Sequence, residues 1–198
     1  MLGVFSWLVS RHSGQLFAPS DFKDEENYVK MQMAAIASLA AATAKGDSAS
    51  SESSLQRVVE VVRSAPRSAV EGREESRNNI LWVDDRPENN SYERKAFEAL
   101  GLHFTLASST EEAFQRLRER KFATIISDMG RREGPREGYV LLDRLRQMGD
   151  RTPLFIYASS NAPEHRRETL EHGGNGCTNN AEELFEMVMK TVISGEST

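Results

Sequence analysis

Three aspartates stand where short apolar runs stop. Ile80-Leu81-Trp82-Val83 ends in Asp84 and Asp85, and Ala123-Thr124-Ile125-Ile126-Ser127 ends in Asp128. If both runs are neighbouring strands of a parallel sheet, the three carboxylates meet at the carboxyl ends of the strands, where such sheets bind their ligands. Packed together they repel one another and drive at least one pKa upward, unless a hard, oxygen-seeking cation lies among them. Magnesium suits such a set, because it takes one or two protein carboxylates, keeps waters and completes its shell with phosphate oxygens. The plainer reading makes Asp84 and Asp85 caps of the following helix, with Pro87 in its first turn. Asp128 alone is an ordinary loop acid, and its weight comes from the matching strand end.

The elements that must position these acids alternate without interruption. Residues 80–83 read as a buried strand. A helix follows over 88–100, with Tyr92, Ala96, Phe97 and Leu100 on one face and Gly101 as terminator. Strand 102–107, helix 110–120 and strand 123–127 come next, and then helix 139–148 with Leu141, Leu142 and Leu145. Strand 154–158 follows Pro153, helix 163–172 is the most polar of the set, and a weak strand at Cys177-Thr178 precedes helix 181–193. Five strand-helix repeats predict an α/β domain: a doubly wound, five-stranded parallel sheet covered on both faces. In the flavodoxin-like order 2-1-3-4-5, the first and third strands flank the switch point, so the three acids share a crevice.

Ahead of this domain the texture differs. Residues 24–44 predict one helix, on which Tyr28, Met31, Ala35, Leu39 and Ala42 recur at helical spacing behind an acidic first turn. A serine-rich break at 48–54 leads to a short helix with Leu55, Val58, Val59 and Val62 on one stripe, stopped by Pro66. Residues 71–78 are charged and aperiodic, as a hinge would be. The expected division is a helical extension with linker over 1–75 and the α/β domain over 76–198.

The α/β part resembles the receiver domains of two-component response regulators. The resemblance rests on Ile80-Leu81-Trp82-Val83-Asp84-Asp85-Arg86-Pro87, on Ile125-Ile126-Ser127-Asp128-Met129, on Gly138 and on Pro153-Leu154-Phe155-Ile156-Tyr157-Ala158. It implies that Asp84, Asp85 and Asp128 hold Mg2+ with the carbonyl of Gly130, and that Asp128 accepts a phosphoryl group from a histidine kinase. A carboxylate nucleophile facing a phosphoryl donor needs a metal to offset both charges.

Two positions depart from the family pattern. Ala158 stands where receivers carry a threonine or serine, leaving Ser159 as a displaced phosphoryl contact. Asn180 stands where they carry a lysine, and its amide donates hydrogen bonds without bringing charge. Cys177 occupies the place of a common switch aromatic. The loop 128–138 is long for a receiver, and Arg131, Arg132 and Arg136 on it are either a solvated loop or a replacement for the lost cation. Ser159 and Ser160 are residues that more often cap a helix than take part in chemistry. His12, His103, His165 and His172 have no metal spacing and read as structural or surface residues.

Composition sets the remaining expectations. A net charge of -5 over 198 residues argues against a general nucleic-acid binder. One cysteine excludes an internal disulfide and suits a reducing cytoplasm. The apolar start of the chain lacks the charged beginning and cleavage site of a signal peptide, and no run is long enough to span a membrane. No further helix follows the last one before Thr198, so output is expected through a protein partner, with the N-terminal helices as the output or homodimerisation element. The alternatives are a phosphorylation-independent pseudo-receiver acting as an interaction module, and a small magnesium-dependent phosphate enzyme on the same sheet.

Overall fold

The computed structural model describes residues 19–46, 52–64, 78–160 and 162–194. Two helices come first, α1 (Pro19–Gly46) and α2 (Glu52–Ser64). Then follow β1 (Asn79–Val83), α3 (Ser91–Glu98), β2 (His103–Ala107), α4 (Thr110–Glu119), β3 (Thr124–Ser127) and α5 (Glu137–Gln147). The chain continues through β4 (Leu154–Tyr157), α6 (Pro163–Glu171), β5 (Gly176–Thr178) and α7 (Ala181–Ser194). All strand pairs are parallel and the sheet order is β2-β1-β3-β4-β5, the order expected from the alternating pattern.

Strand alternation divides the core between the two faces of the sheet. Ile80, Trp82, Ile126 and Phe155 point to one side and pack with Phe97, Phe185 and Val188. Leu81, Val83, Ile125 and Ile156 point to the other, against Phe114, Leu141 and Leu142. Phe97 of α3 and Phe185 of α7 stack at 4.9 Å, so these helices meet over the sheet. Each such buried side chain contributes about 1.5–3 kcal/mol relative to exposure.

The first face does not end at the α/β layer. Ala35, Leu39 and Ala42 of α1 and Val58 and Val62 of α2 belong to the same core, with α1 lying mainly along α3. The helical stripes anticipated for both segments are therefore the buried ones, although the side chains of Tyr28 and Leu55 lie outside the described residues. So do residues 71–77 of the expected hinge, and α2 begins inside the expected serine-rich break.

The expected helix 88–100 divides in two. Pro87–Asn90 forms a 3-10 turn and α3 starts only at Ser91. The stripe that faces the core is Glu93, Ala96, Phe97 and Leu100, and Tyr92 is 40 % exposed. Both stripes have helical spacing, and the hydroxyl of Tyr157, which donates to Glu93, is what allows the acid to take the inner one. Gly101 ends the helix at φ 82, a backbone region that costs a side-chain-bearing residue energy.

Candidate functional site

The acids are placed by the ends of β1 and β3. The amide of Asp84 donates to the Ala107 carbonyl of β2 at 2.9 Å, and the amide of Asp128 donates to the Val83 carbonyl of β1 at 2.9 Å. The sheet ladder thus continues one residue beyond each apolar run, and fixes where the carboxylates leave the backbone. Asp84, Asp85 and Asp128 each present an oxygen within 4.8 Å of the others. Their cleft, of about 680 Å³, also takes in Gly130, Asn90, Tyr157, Ala158, Ser159 and Asn179.

Each acid has a different environment. Asp84 is buried, accepting the Arg86 amide on Oδ1 at 2.7 Å and the Asn90 side chain on Oδ2. Asp85 lies 3.7 Å from the Arg132 guanidinium, whose side chain is 82 % exposed and therefore worth little as an ion pair. Asp128 accepts the Met129 amide on Oδ1 at 2.7 Å. Burial first, and the charge of Asp84 second, push the Asp128 carboxyl above its ordinary value, while the Met129 amide opposes them. Arg86, Arg131 and Arg132 also line the cleft, yet the Asp128 carboxyl stays raised against the pull of Arg131, and the donors of the cluster are all hard oxygens.

Gly138 lets α5 start against this end of β3. A Cβ there would stand 2.9 Å from the Asp128 carbonyl oxygen and 3.1 Å from the Met129 Cα, backbone atoms that cannot swing away. A side chain at this position therefore displaces the residue that carries the chemistry.

The loop arginines do not behave as a set. Arg131, expected in solvent or on phosphate, is only 6 % exposed. Its Nη1 donates to Ser127 Oγ at 2.8 Å and to the Asp128 carbonyl at 3.0 Å. Its Nη2 donates to Thr110 Oγ1 at 2.7 Å and to the Glu137 carbonyl at 2.8 Å. A guanidinium so engaged is a bracket joining β3, α4 and α5, and it holds the loop from beneath. Arg136 turns away to Glu168 and lies over the Tyr139 ring at 5.0 Å. Of the three, Arg132 alone forms an ion pair with a carboxylate of the cluster, whereas Arg131 meets Asp128 at its backbone carbonyl.

Of the two weaker phosphoryl contacts, Ser159 is exposed at the rim of the cleft beside Ala158. Asn180 sits elsewhere: its Oδ1 accepts the Glu183 amide at 3.0 Å and caps α7, while Asn179 lines the cleft. The reason is local, since Thr178 Oγ1 accepts the Asn180 amide at 3.0 Å and turns the chain one residue earlier than an ungapped count implies. Cys177 is buried, its thiol pushed up by that burial and pointed at the Ser160 carbonyl. His172 stacks on Tyr139 at 4.4 Å and meets Asp143 at 2.6 Å, a packing arrangement away from the acids.

Three residues of the neighbourhood escaped sequence reading. Asn90 has a side chain on Asp84, and Asn179 lines the wall. Tyr157 closes the cleft beside β4, and its hydroxyl donates to Glu93 Oε1 at 3.2 Å in the interior. The only signal for these was position near a strand end, which many uninvolved residues share.

The family model described as the response regulator receiver domain matches residues 80–188, just over half of the chain. No curated protein matches. Among solved structures, the receiver domain of the Francisella response regulator 1452 is similar at 23 % identity and TM-score 0.55, covering 60 % of this chain and 99 % of that one. A two-component response regulator from Clostridium difficile follows at 22 % and 0.54, covering 61 % and 99 %. A CheY-like receiver domain protein from Methanospirillum hungatei stands at 18 % and 0.52, covering 60 % and 96 %. At such identities the structures speak for the fold.

Proposed function

Since this chain belongs to the response regulator receiver domain family, we propose that it accepts a phosphoryl group on Asp128 with the help of magnesium and passes the signal on by protein contact. The observation that carries this reading is the meeting of three carboxylates from two adjacent strand ends within 4.8 Å. The group fits a divalent cation, because Asp128 already carries an unfavourable charge and every donor is a hard oxygen. Asp84, Asp85 and Asp128 would hold it, with the Gly130 carbonyl as the backbone ligand. When bound, magnesium offsets the charge of the carboxylates and of the incoming phosphoryl oxygens.

The chain's own residues supply position. The Met129 amide holds Oδ1 of Asp128, which leaves Oδ2 to form the new O–P bond. With a phosphohistidine donor the P–N bond breaks, and its electron pair leaves on the imidazole nitrogen. Arg131 and Gly138 keep the Asp128 backbone in place while this happens.

A second reading, a phosphorylation-independent interaction module, is favoured by one feature of the cleft. Ala158 brings no hydroxyl, and Asn179 brings an amide with no charge. Incubation with magnesium and acetyl phosphate or beryllofluoride separates the two, followed by intact mass and by amide shifts around Asp128. An adduct that disappears in Asp128→Asn supports phosphoryl acceptance. No response at millimolar metal supports the interaction module.

We assign the kinase as phosphodonor and the N-terminal helices as the output or homodimer surface, on the ground that α1 leaves Val29 and Met33 exposed. No helix of the described residues is long and apolar enough to cross a membrane. The buried single thiol is compatible with the cytoplasmic setting proposed for the chain.

A further inference from the structure

A second concave surface lies at the opposite end of the sheet, where β3 and β4 begin. It is a groove of about 660 Å³ between α4 and α5, sharing no residue with the acid cleft. Its apolar floor includes Leu117 and Phe122, and Met148 stands on its edge 72 % exposed. Phe122 itself is only 6 % exposed, so Met148 offers the accessible apolar contact of the groove, and methionine adapts readily to different ligand shapes.

Charge indicates the occupant. Arg118, Lys121 and Arg151 rim the groove, all exposed. Among the described residues these three cations form no ion pair with a carboxylate, as others elsewhere also do not, and the charge of Arg118 reaches Glu111 only at longer range. The acid in the lining, Asp150, is committed through Oδ1 to the Thr152 amide at 2.8 Å. On a chain of net charge -5, this is a local reversal of sign around an apolar floor.

We propose that the groove docks an acidic peptide segment of a partner protein, with a bulky apolar side chain on Phe122 and Met148 and flanking carboxylates on Arg118, Lys121 and Arg151. The apolar anchor supplies affinity and the cations supply orientation and encounter rate. The net charge of -5 works against such a peptide over the chain as a whole. Selective binding of an acidic peptide that the groove variants weaken therefore reports this groove.

The test titrates the full chain at low ionic strength into two fluorescein-labelled peptides, read by anisotropy. They share a leucine-phenylalanine-leucine centre and carry either three glutamates or three lysines on each side. The expected result is a dissociation constant below about 1 mM for the glutamate peptide alone. It weakens by about tenfold in Lys121→Glu/Arg151→Glu and on raising salt past the screening length. Met148→Ser, a second exposed change, weakens it as well, while Asp128→Asn leaves it unchanged. The proposal is overturned if the lysine peptide binds as tightly, if neither binds at 1 mM, or if the charge reversal leaves the curve unmoved in a variant with an unchanged melting profile. It also fails if a labelled single-stranded oligonucleotide, and not the acidic peptide, binds in a manner the charge reversal abolishes.

Discussion

Replacing Arg131 by methionine keeps the length of the side chain and removes its five donors. Four hydrogen bonds of 2.7–3.0 Å are lost, two to hydroxyls and two to carbonyls. At about 1.5 kcal/mol for a bond with a charged partner, the gross loss is about 6 kcal/mol. Two effects reduce it. The guanidinium recovers the cost of burial, a cost that also pushes its pKa below the usual arginine range. The acceptors are not all orphaned, since Ser127 Oγ still donates to the Asp128 carbonyl at 2.9 Å and Thr110 Oγ1 still faces Glu137 at 3.3 Å. A net loss of about 2–3 kcal/mol remains, which for a chain of this size lowers Tm by roughly 5–10 °C. Urea titration of Arg131→Met beside Arg132→Met measures it, because the second side chain is 82 % exposed and its loss should cost less than about 0.5 kcal/mol. Arg131→Lys should rescue little, having no planar fork to span Ser127 and Thr110. If Arg131→Met and Arg132→Met unfold at the same urea concentration, the bracket contributes nothing and the account of the loop is wrong.

Gly138→Ala forces a Cβ to 2.9 Å from the Asp128 carbonyl, so it should cost about 1–3 kcal/mol and slow labelling of Asp128 by acetyl phosphate; unaltered labelling kinetics would show that α5 does not set the acceptor's position. In metal-free buffer, Asp128→Asn should stabilise the fold by up to about 1 kcal/mol, since the half-exposed site is partly screened. The sign follows from a raised carboxyl: the native state binds protons more tightly there, so stability is lost as pH rises through the carboxylate range. The advantage of the asparagine variant should therefore vanish at low pH, and a gain that is independent of pH would point to another cause. Magnesium at ten times its dissociation constant should stabilise the protein by about 1.4 kcal/mol, or roughly 3–6 °C in Tm, and Asp85→Asn should remove most of that shift. Tyr157→Phe takes the hydroxyl partner from Glu93, whose other carboxylate oxygen is already buried with no partner, and should cost about 1–3 kcal/mol in chemical denaturation.

Much of the α/β layer was legible because its signals are local. An apolar run that stops at an acid, a period-3.6 stripe ended by Gly101 and a proline before β4 each act within a few residues. Their alternation leaves few topologies, of which one places Asp84, Asp85 and Asp128 together. Two neighbouring facts had no local signal, and a third had one too slight to read. Arg131 reads as solvent-facing in any sequence window, and only the approach of Thr110, 21 residues back in the chain, to the nearer oxygens of Ser127, Asp128 and Glu137 supplies enough acceptors to bury it. Glu93 became a core residue because Tyr157, 64 residues away, offers it a hydroxyl. The exchange of Asn179 for Asn180 in the cleft wall came from one hydroxyl, that of Thr178, capturing an amide two residues on.

By itself the sequence determined the strand-helix alternation, the sheet it builds and the three acids at its edge, because hydrophobic periodicity and strand-end position are properties of the chain alone. The tertiary structure decided which charged side chains are free to meet a ligand and which are consumed as internal hydrogen-bond donors. That distinction depends on how the folded chain aims oxygens at a side chain, near ones such as Ser127 beside more distant ones such as Thr110, and sequence spacing does not record that aim.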